Sequence, residues 1–233
     1  MTTISANLQA VHARIAAACA AAGRDPGSVR LLAVSKTWPA GLVGEAAACG
    51  QRAFGENYVQ EAVAKIATLS HLDLEWHFIG PLQSNKTRQV AEQFAWVHSV
   101  ERAKIAERLS AQRPAGMAPL QVCLQVNISG EASKSGCAPA EAPALAAAVA
   151  RLPNLRLRGL MAIPEPGADA GLQRSRFALL REIRAALDAQ GLPLDTLSMG
   201  MSHDLEAAIA EGATIVRIGT AIFGTRNYSE ESA

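Results

Sequence analysis

The sequence carries a short apolar stretch, "LLAVSKT" from Leu31 to Thr37, straight into Lys36. A strand buried on both faces reads as a near-continuous apolar run, so a lysine at its end either reaches water or has a chemical task. Its amine sheds a proton when desolvated near another cation and then forms Schiff bases with aldehydes. Far along the chain, "SMGMSHD" places Gly200 and Ser202 ahead of the helical pattern "HDLEAAIAEG", and "RIGTAIFG" places Gly219 and Thr220 after a strand-like run. Glycine lets backbone approach an anion, while N–H groups and a hydroxyl at a helix start bind its oxygens. The two segments read as a phosphate cup, or as ordinary turns with Ser202 as a helix cap.

Period-two alternation sorts the strand residues by face. In "TIVRIG", Ile215, Arg217 and Gly219 share one face and Val216 and Ile218 the other, so Arg217 points inward if the purely apolar face meets helices. A buried charge needs a partner, and Arg217 is therefore either half of an internal ion pair or a ligand contact. Lys36 shares its face with Leu32 and Val34, and His77 in "EWHFIG" lies opposite Trp76 and Phe78. A lysine, an arginine and a phosphate cup facing one cavity suit a phosphorylated aldehyde, and pyridoxal 5′-phosphate fits all three. On spacing alone, Lys36 fits equally well a rim lysine that snorkels to solvent.

The elements that must position these residues alternate. Strand-like runs "RLLAVS", "RAFG", "LEWHFIG", "FAWVHS", "LQVCLQVN", "LRLRGLMAI", "DTLSMG" and "TIVRIGTAIFG" are separated by helical patterns. About eight βα units in a chain of this length predict an α/β fold, a single (β/α)8 TIM-type barrel over about residues 30–226, with a doubly wound open sheet as the alternative. Barrel sites lie at the carboxyl ends of the strands, often with phosphate held after strands seven and eight. Leu8, Val11, Ile15 and Cys19 fall near helical spacing, so about residues 5–23 are expected to form an extra leading helix that plugs or flanks the barrel base. No linker divides the chain, which reads as one domain over 1–233; "PEPGADAG", Pro164 to Gly171, reads as a long βα loop.

Composition narrows the function classes. The 233 residues are 49% hydrophobic and 18% charged, enough for a packed core. With 22 Lys and Arg against 21 Asp and Glu and no basic block, nothing points to a nucleic-acid partner. Cys19, Cys49, Cys123 and Cys137 lack metal or disulfide spacing, so no metal site is expected and the thiols suggest a reducing compartment. No basic-then-apolar leader opens the chain and no apolar run nears the roughly 18 residues that span a bilayer, which predicts a cytoplasmic protein without a membrane partner.

The stretches "AVSKT", "FGENYVQE", "WHFIGPLQSNK", "VNISGEASKSG", "GLMAIP" and "LSMGMSHDLEAAIAEGATIVRIGTAIFG" resemble the pyridoxal phosphate homeostasis protein family, the YggS/PROSC group. The likeness runs from about Asn7 to about Arg226. It implies a barrel similar to the N-terminal domain of alanine racemase, with pyridoxal 5′-phosphate as an internal aldimine on Lys36. It further implies phosphate contacts from Ser202, Gly219 and Thr220, Arg217 near the pyridine nitrogen and Asn57 lining the ring. His77 and Met199 match family positions near the cavity, where packing in the core explains them equally well. Gly80, Gln83, Asn85 and Lys86 of "GPLQSNK" are expected on a loop at the rim. Two departures from the family's usual residues, Cys137 after "KSG" and Ala162 in "GLMAI", touch neither the lysine nor the cup.

The rival activity is amino-acid racemisation or a related reaction. Racemases of similar fold add a C-terminal domain that supplies a tyrosine across a dimer, and this sequence stops at "FGTRNYSEESA", which predicts a monomer without that domain. Racemisation requires a base on each face of Cα, yet Lys36 is the one evident base and Tyr58 and Tyr228 are the only tyrosines. An arginine at the ring nitrogen also weakens the ring as an electron sink. The expectation is a carrier that buffers cofactor and delivers it to apoenzymes in vitamin B6 homeostasis. A scaffold serving only protein contacts would leave Lys36 and the cup unexplained.

Overall fold

The computed structural model describes residues 3–130, 135–165 and 169–225. The element order is α1 (Ile4–Ala21), β1 (Arg30–Val34), α2 (Ala40–Ala48), β2 (Ala53–Glu56), α3 (Val59–Thr68), β3 (Glu75–Phe78), α4 (Thr87–Gln93), β4 (Trp96–Val100) and α5 (Ala103–Gln112). It continues with β5 (Leu120–Gln125), α6 (Ala142–Ala150), β6 (Leu155–Met161), α7 (Ala170–Ala189), β7 (Thr196–Ser198), α8 (Leu205–Ala210), β8 (Ile215–Ile218) and α9 (Thr220–Phe223). The strands close in sequence order, all parallel, with β8 returning to β1 so that Arg217 aligns with Leu32. This is the expected (β/α)8 barrel rather than the open sheet.

Alternation produces two apolar layers. Leu31 and Ala33 of β1 and Val216 and Ile218 of β8 pack outward against the helices. Leu32, Val34 and Ile215 face inward with Ala53 and Ile79, and Trp96, Cys123 and Met161 form a second internal patch. Polar side chains, Arg217 among them, occupy the rest of the interior. No helix among the described residues is long and apolar enough to cross a membrane, and no cluster there could hold a metal ion.

Three expectations change. The leading helix flanks the barrel wall, not its base: α1 packs on α2, α8 and α9 and buries the stripe Leu8, Val11, Ile15, Ala18 and Cys19. Polar contacts run its length, with Asn7 donating to the carbonyl of Ile222 and Arg24 to that of Ile209. The run "TIVRIGTAIFG" is not all strand, because the ladder stops at Ile218 and Thr220–Phe223 coil into α9. Ser202 is not a helix cap, since α8 starts later, with Asp204 at its N-cap position. Helix α2, "AGLVGEAAA", went unnoticed in the sequence because its apolar residues show little preference for one face. Of "PEPGADAG", residues 166–168 lie outside the described residues; α7 begins inside that stretch, with Asp169 accepting from the amide of Leu172. Arg226, Tyr228 and Glu131 to Lys134 of "VNISGEASKSG" also lie outside.

Candidate cofactor site

A cavity of about 240 Å³ opens at the carboxyl end of the barrel, lined by Val34, Lys36, Asn57, Ile79, Ile163, Met201, Ser202, His203, Arg217, Gly219 and Thr220. Closure of β8 onto β1 makes neighbours of Lys36 and the Gly219–Thr220 turn, far apart in sequence. Among the described residues the lining holds two cations, Lys36 and Arg217, and no carboxylate.

Lys36 sits in a turn just past β1, where Trp38 donates to the carbonyl of Ser35. Thr37 adopts φ 67°, a left-handed conformation that costs a β-branched residue about 1–3 kcal/mol. A buried network holds this turn. The Thr37 amide donates to Glu61 Oε1 at 2.5 Å, and Lys65 Nζ donates to the Ser35 carbonyl, Glu56 Oε1 and Glu61 Oε1. Glu56 also accepts from the Ser35 hydroxyl at 2.6 Å. Burial pushes the Glu56 carboxyl up from its usual range, against the pull of Lys65 and Ser35. The backbone on both sides of Lys36 is therefore pinned to α3.

The end of the cavity where the sequence predicts a phosphate cup is built from the β7–α8 turn and the start of α9. Gly200 has φ 94°, and a Cβ there would stand 2.6 Å from the Cβ of Ala208, so only glycine allows the chain to turn toward Met201 and Ser202. Asp204 accepts from the Met201 amide at 2.5 Å. From outside, Arg14 of α1 donates to the Ser202 carbonyl at 2.7 Å while forking onto Glu206. Gly219 precedes α9, where the N–H groups of Thr220 and Ala221 have no partner inside the helix, while those of Ile222 and Phe223 donate to the Gly219 carbonyl.

Arg217 is buried and donates to the Ser198 carbonyl and hydroxyl at 2.5 and 2.8 Å and to the Ala162 carbonyl at 2.9 Å. Burial lowers its pKa to about 10, which leaves it a cation at neutral pH. It is not half of an internal ion pair: its bonded acceptors are all neutral. Ala162, expected to touch neither the lysine nor the cup, meets Arg217 through its carbonyl. The Asn57 side-chain oxygen lies buried with no partner among the described residues. Gly80 presses on the same residue, since a Cβ there would stand 2.4 Å from the Asn57 carbonyl oxygen. An orphaned acceptor, two cations and the hydroxyls of Ser202 and Thr220 suit a phosphorylated aromatic aldehyde bearing a donor, as pyridoxal 5′-phosphate does.

Six of the expected residues, Lys36, Asn57, Ser202, Arg217, Gly219 and Thr220, converge on this cavity. His77 and Met199 do not line it. Met199 is fully buried in the outer apolar layer, and His77 lies deeper in the barrel, stacked on Trp96. Gly80, Gln83, Asn85 and Lys86 follow β3 without lining the cavity; Gln83 and Asn85 are exposed. Tyr58 is exposed and also outside it. Sequence reasoning missed Ile163, Met201 and His203, for which no motif position spoke, although Met201 and His203 flank Ser202.

Below Arg217 the interior polar groups form a line. His98 Nδ1 lies 2.8 Å from Ser198 Oγ, His98 Nε2 lies 2.9 Å from His77 Nδ1, and His77 Nε2 lies 2.6 Å from Glu75 Oε1. Arg30 closes it on Glu75 at 2.7 Å. Desolvation keeps both imidazoles below their usual pKa, His98 furthest, with His77 and Arg217 adding repulsion. In the unfolded chain His98 gains a proton below about pH 6.5, which the folded protein resists, so the stability contributed by its burial is present above that pH and lost as pH falls. The stability difference between wild type and His98→Gln, which does not titrate, is expected to shrink by up to about 1.4 kcal/mol between about pH 7.5 and 5.5 in urea unfolding. A difference independent of pH would mean that His98 takes up its proton as readily in the folded barrel as in the unfolded chain, and one that grew as pH fell would mean that it is charged inside the barrel.

The pattern that defines the family "Alanine racemase, N-terminal domain" matches residues 6–227. The pyridoxal phosphate homeostasis protein of Pseudomonas aeruginosa is 68% identical over 228 residues, 98% of each chain. That of Escherichia coli K12 is 55% identical over 237 residues, covering 99% of this chain and all of the other. The structure of PipY from Synechococcus elongatus with PLP bound superposes with a TM-score of 0.85 at 42% identity, over 95% of this chain and 100% of that one. Alanine racemase from Corynebacterium glutamicum shares the fold, with a TM-score of 0.66 at 16% identity over 97% of this chain and 63% of that one. With the barrel, the cavity and these likenesses together, the chain belongs to the pyridoxal phosphate homeostasis protein family, within the fold of the alanine racemase N-terminal domain.

Proposed function

We propose that this protein binds pyridoxal 5′-phosphate reversibly through Lys36 and serves vitamin B6 homeostasis, buffering the cofactor and passing it to apoenzymes rather than turning over a substrate. The observation that carries this reading is the convergence of Lys36, Arg217 and the Ser202 and Gly219–Thr220 backbone on one cavity. The bound cofactor supplies an aldehyde that a primary amine engages reversibly. Lys36, on the cavity wall, is that amine. Ser202, Gly219 and Thr220 take the phosphate, Asn57 accepts from the ring's edge, and Arg217 faces the ring nitrogen, where a cation disfavours protonation. The relatives' names and the PLP-bound PipY structure support the same ligand. The four thiols are unpaired, which suits a reducing, cytoplasmic setting, and we take the chain to act as a monomer.

Borohydride reduction of the loaded protein followed by peptide mass spectrometry should place one phosphopyridoxyl group on Lys36, and a panel of amino acids should show no racemisation. No adduct in excess cofactor would sink the binding reading. Turnover would sink the carrier reading and make His203, which also lines the cavity, the second base to test by His203→Gln. Ser202→Ala should weaken binding by about 1–3 kcal/mol, the range for a lost hydrogen bond to a charged acceptor; unchanged affinity in a fluorescence titration would remove Ser202 from the phosphate contacts.

A further inference from the structure

The line of polar groups through the barrel has a direction fixed by chemistry. Arginine only donates, so Ser198 Oγ accepts from Arg217 and Glu75 accepts from Arg30. The Glu75 carboxylate is held below its usual range by His77 and Arg30, against burial, and it accepts from His77 Nε2–H. A neutral His77 then presents a bare Nδ1, which accepts from His98 Nε2–H. A neutral His98 presents a bare Nδ1 in turn, which accepts the one proton of the Ser198 hydroxyl. With both imidazoles kept neutral by burial, every link is satisfied only by the Nε2–H tautomers. The hydroxyl proton of Ser198 then points away from Arg217 and leaves its lone pairs to the guanidinium. The reverse tautomers would make His98 donate to Ser198 and bring His77 Nε2, as a bare lone pair, against a carboxylate.

We propose that His98 and His77 are positioning residues for Arg217, locked in one tautomer by Glu75 at the amino end of the barrel, so that a carboxylate remote from the cavity sets how the cavity's cation is held. Neither imidazole lines the cavity, and both act through Ser198. Other interior groups do not interrupt the chain: Trp96 stacks on His77, and Cys123 is a thiol pushed up to about 12 by burial. Arg158 covers the Trp96 ring and pairs with Asp195.

The chain can be tested without ligand. Long-range proton–nitrogen NMR correlations of the ligand-free protein should show His77 and His98 as Nε2–H tautomers at neutral pH. Glu75→Ala should move His77, His98 or both toward Nδ1–H, whereas Glu75→Gln, which keeps a carbonyl acceptor, should retain the wild-type pattern. The second arm rests on the function proposed above. In Glu75→Ala the dissociation constant for pyridoxal 5′-phosphate should rise roughly tenfold, the scale of one weakened hydrogen bond to a charged group, and the absorption band of the bound cofactor should shift, with Glu75→Gln restoring both. Nδ1–H or charged imidazoles in the wild type, or an Ala variant whose tautomers and spectrum match wild type, would overturn the proposal. Should the wild type take up no cofactor, the carrier reading fails while the NMR arm still decides the chain. Should Glu75→Ala not fold, Ser198→Ala replaces it, with the same loss expected in the ligand arm and the His98 Nδ1 resonance shifting as its donor disappears.

Discussion

Lys36→Ala is expected to remove all borohydride-fixed pyridoxal phosphate while the barrel stays folded. Among the described residues Lys36 is the one lysine on the cavity wall, so its loss leaves no primary amine there to hold the aldehyde. Lys36 is half-exposed and lies beyond the end of β1, and its truncation opens no core cavity; stability should change by less than about 1 kcal/mol. Reduction and peptide mapping of the variant checks the first part and urea unfolding the second. Lys86→Ala, outside the cavity, serves as the control that keeps its adduct. A Lys36→Ala protein that still carried the reduced group at full occupancy would place the chemistry on another residue.

The largest loss of stability is expected from Lys65→Met. Lys65 and Glu56 are both buried, and the lysine also ties Glu61 and the Ser35 carbonyl. Removing one partner strands a buried carboxylate whose second oxygen already lacks a partner among the described residues. Breaking such a pair typically costs about 3–5 kcal/mol, more than the desolvated pair contributes when intact. The denaturant midpoint should fall accordingly, and Lys65→Met combined with Glu56→Gln should recover part of the loss, because the amide leaves no charge behind. Costs that simply add in the double variant would show that the two residues do not act as a pair. The damage should also reach the cavity, since the freed turn no longer holds Thr37 in its left-handed conformation.

The parts of this molecule that could be read from sequence obey short-range rules. Alternation placed Arg217 inside and Val216 and Ile218 outside because a strand's period is two whatever its neighbours do. Apolar runs ending in Lys36 or followed by Gly219 located the strand ends. The errors arose where local pattern and tertiary context disagree. "TAIFG" has strand-like residues, yet the ladder of β8 has no partner beyond Ile218 and the segment coils. Ser202 precedes a helical pattern, but the glycine turn at Gly200 delays the helix to Leu205. The Glu61 to Lys65 spacing marks a helix-surface pair, and only the packing of α3 under the β1 turn shows that Lys65 is buried. His98 and Ser198 are 100 residues apart, and their contact follows from the arrangement of strands around the closed barrel, which no window of sequence contains.

The cavity takes its lysine from the turn after the first strand and its arginine and glycine turns from the last two, and Arg14, near the start of the chain, braces the turn that carries Ser202. On the proposed function, a growing polypeptide that has not yet produced β8 would own the amine but have nowhere to seat a phosphate. Capture of a ligand waits for the whole barrel to be made and closed, and occupancy reports completed folding. By mass action a bound ligand would in turn raise the cost of parting β8 from β1, the seam where the first and last strands meet.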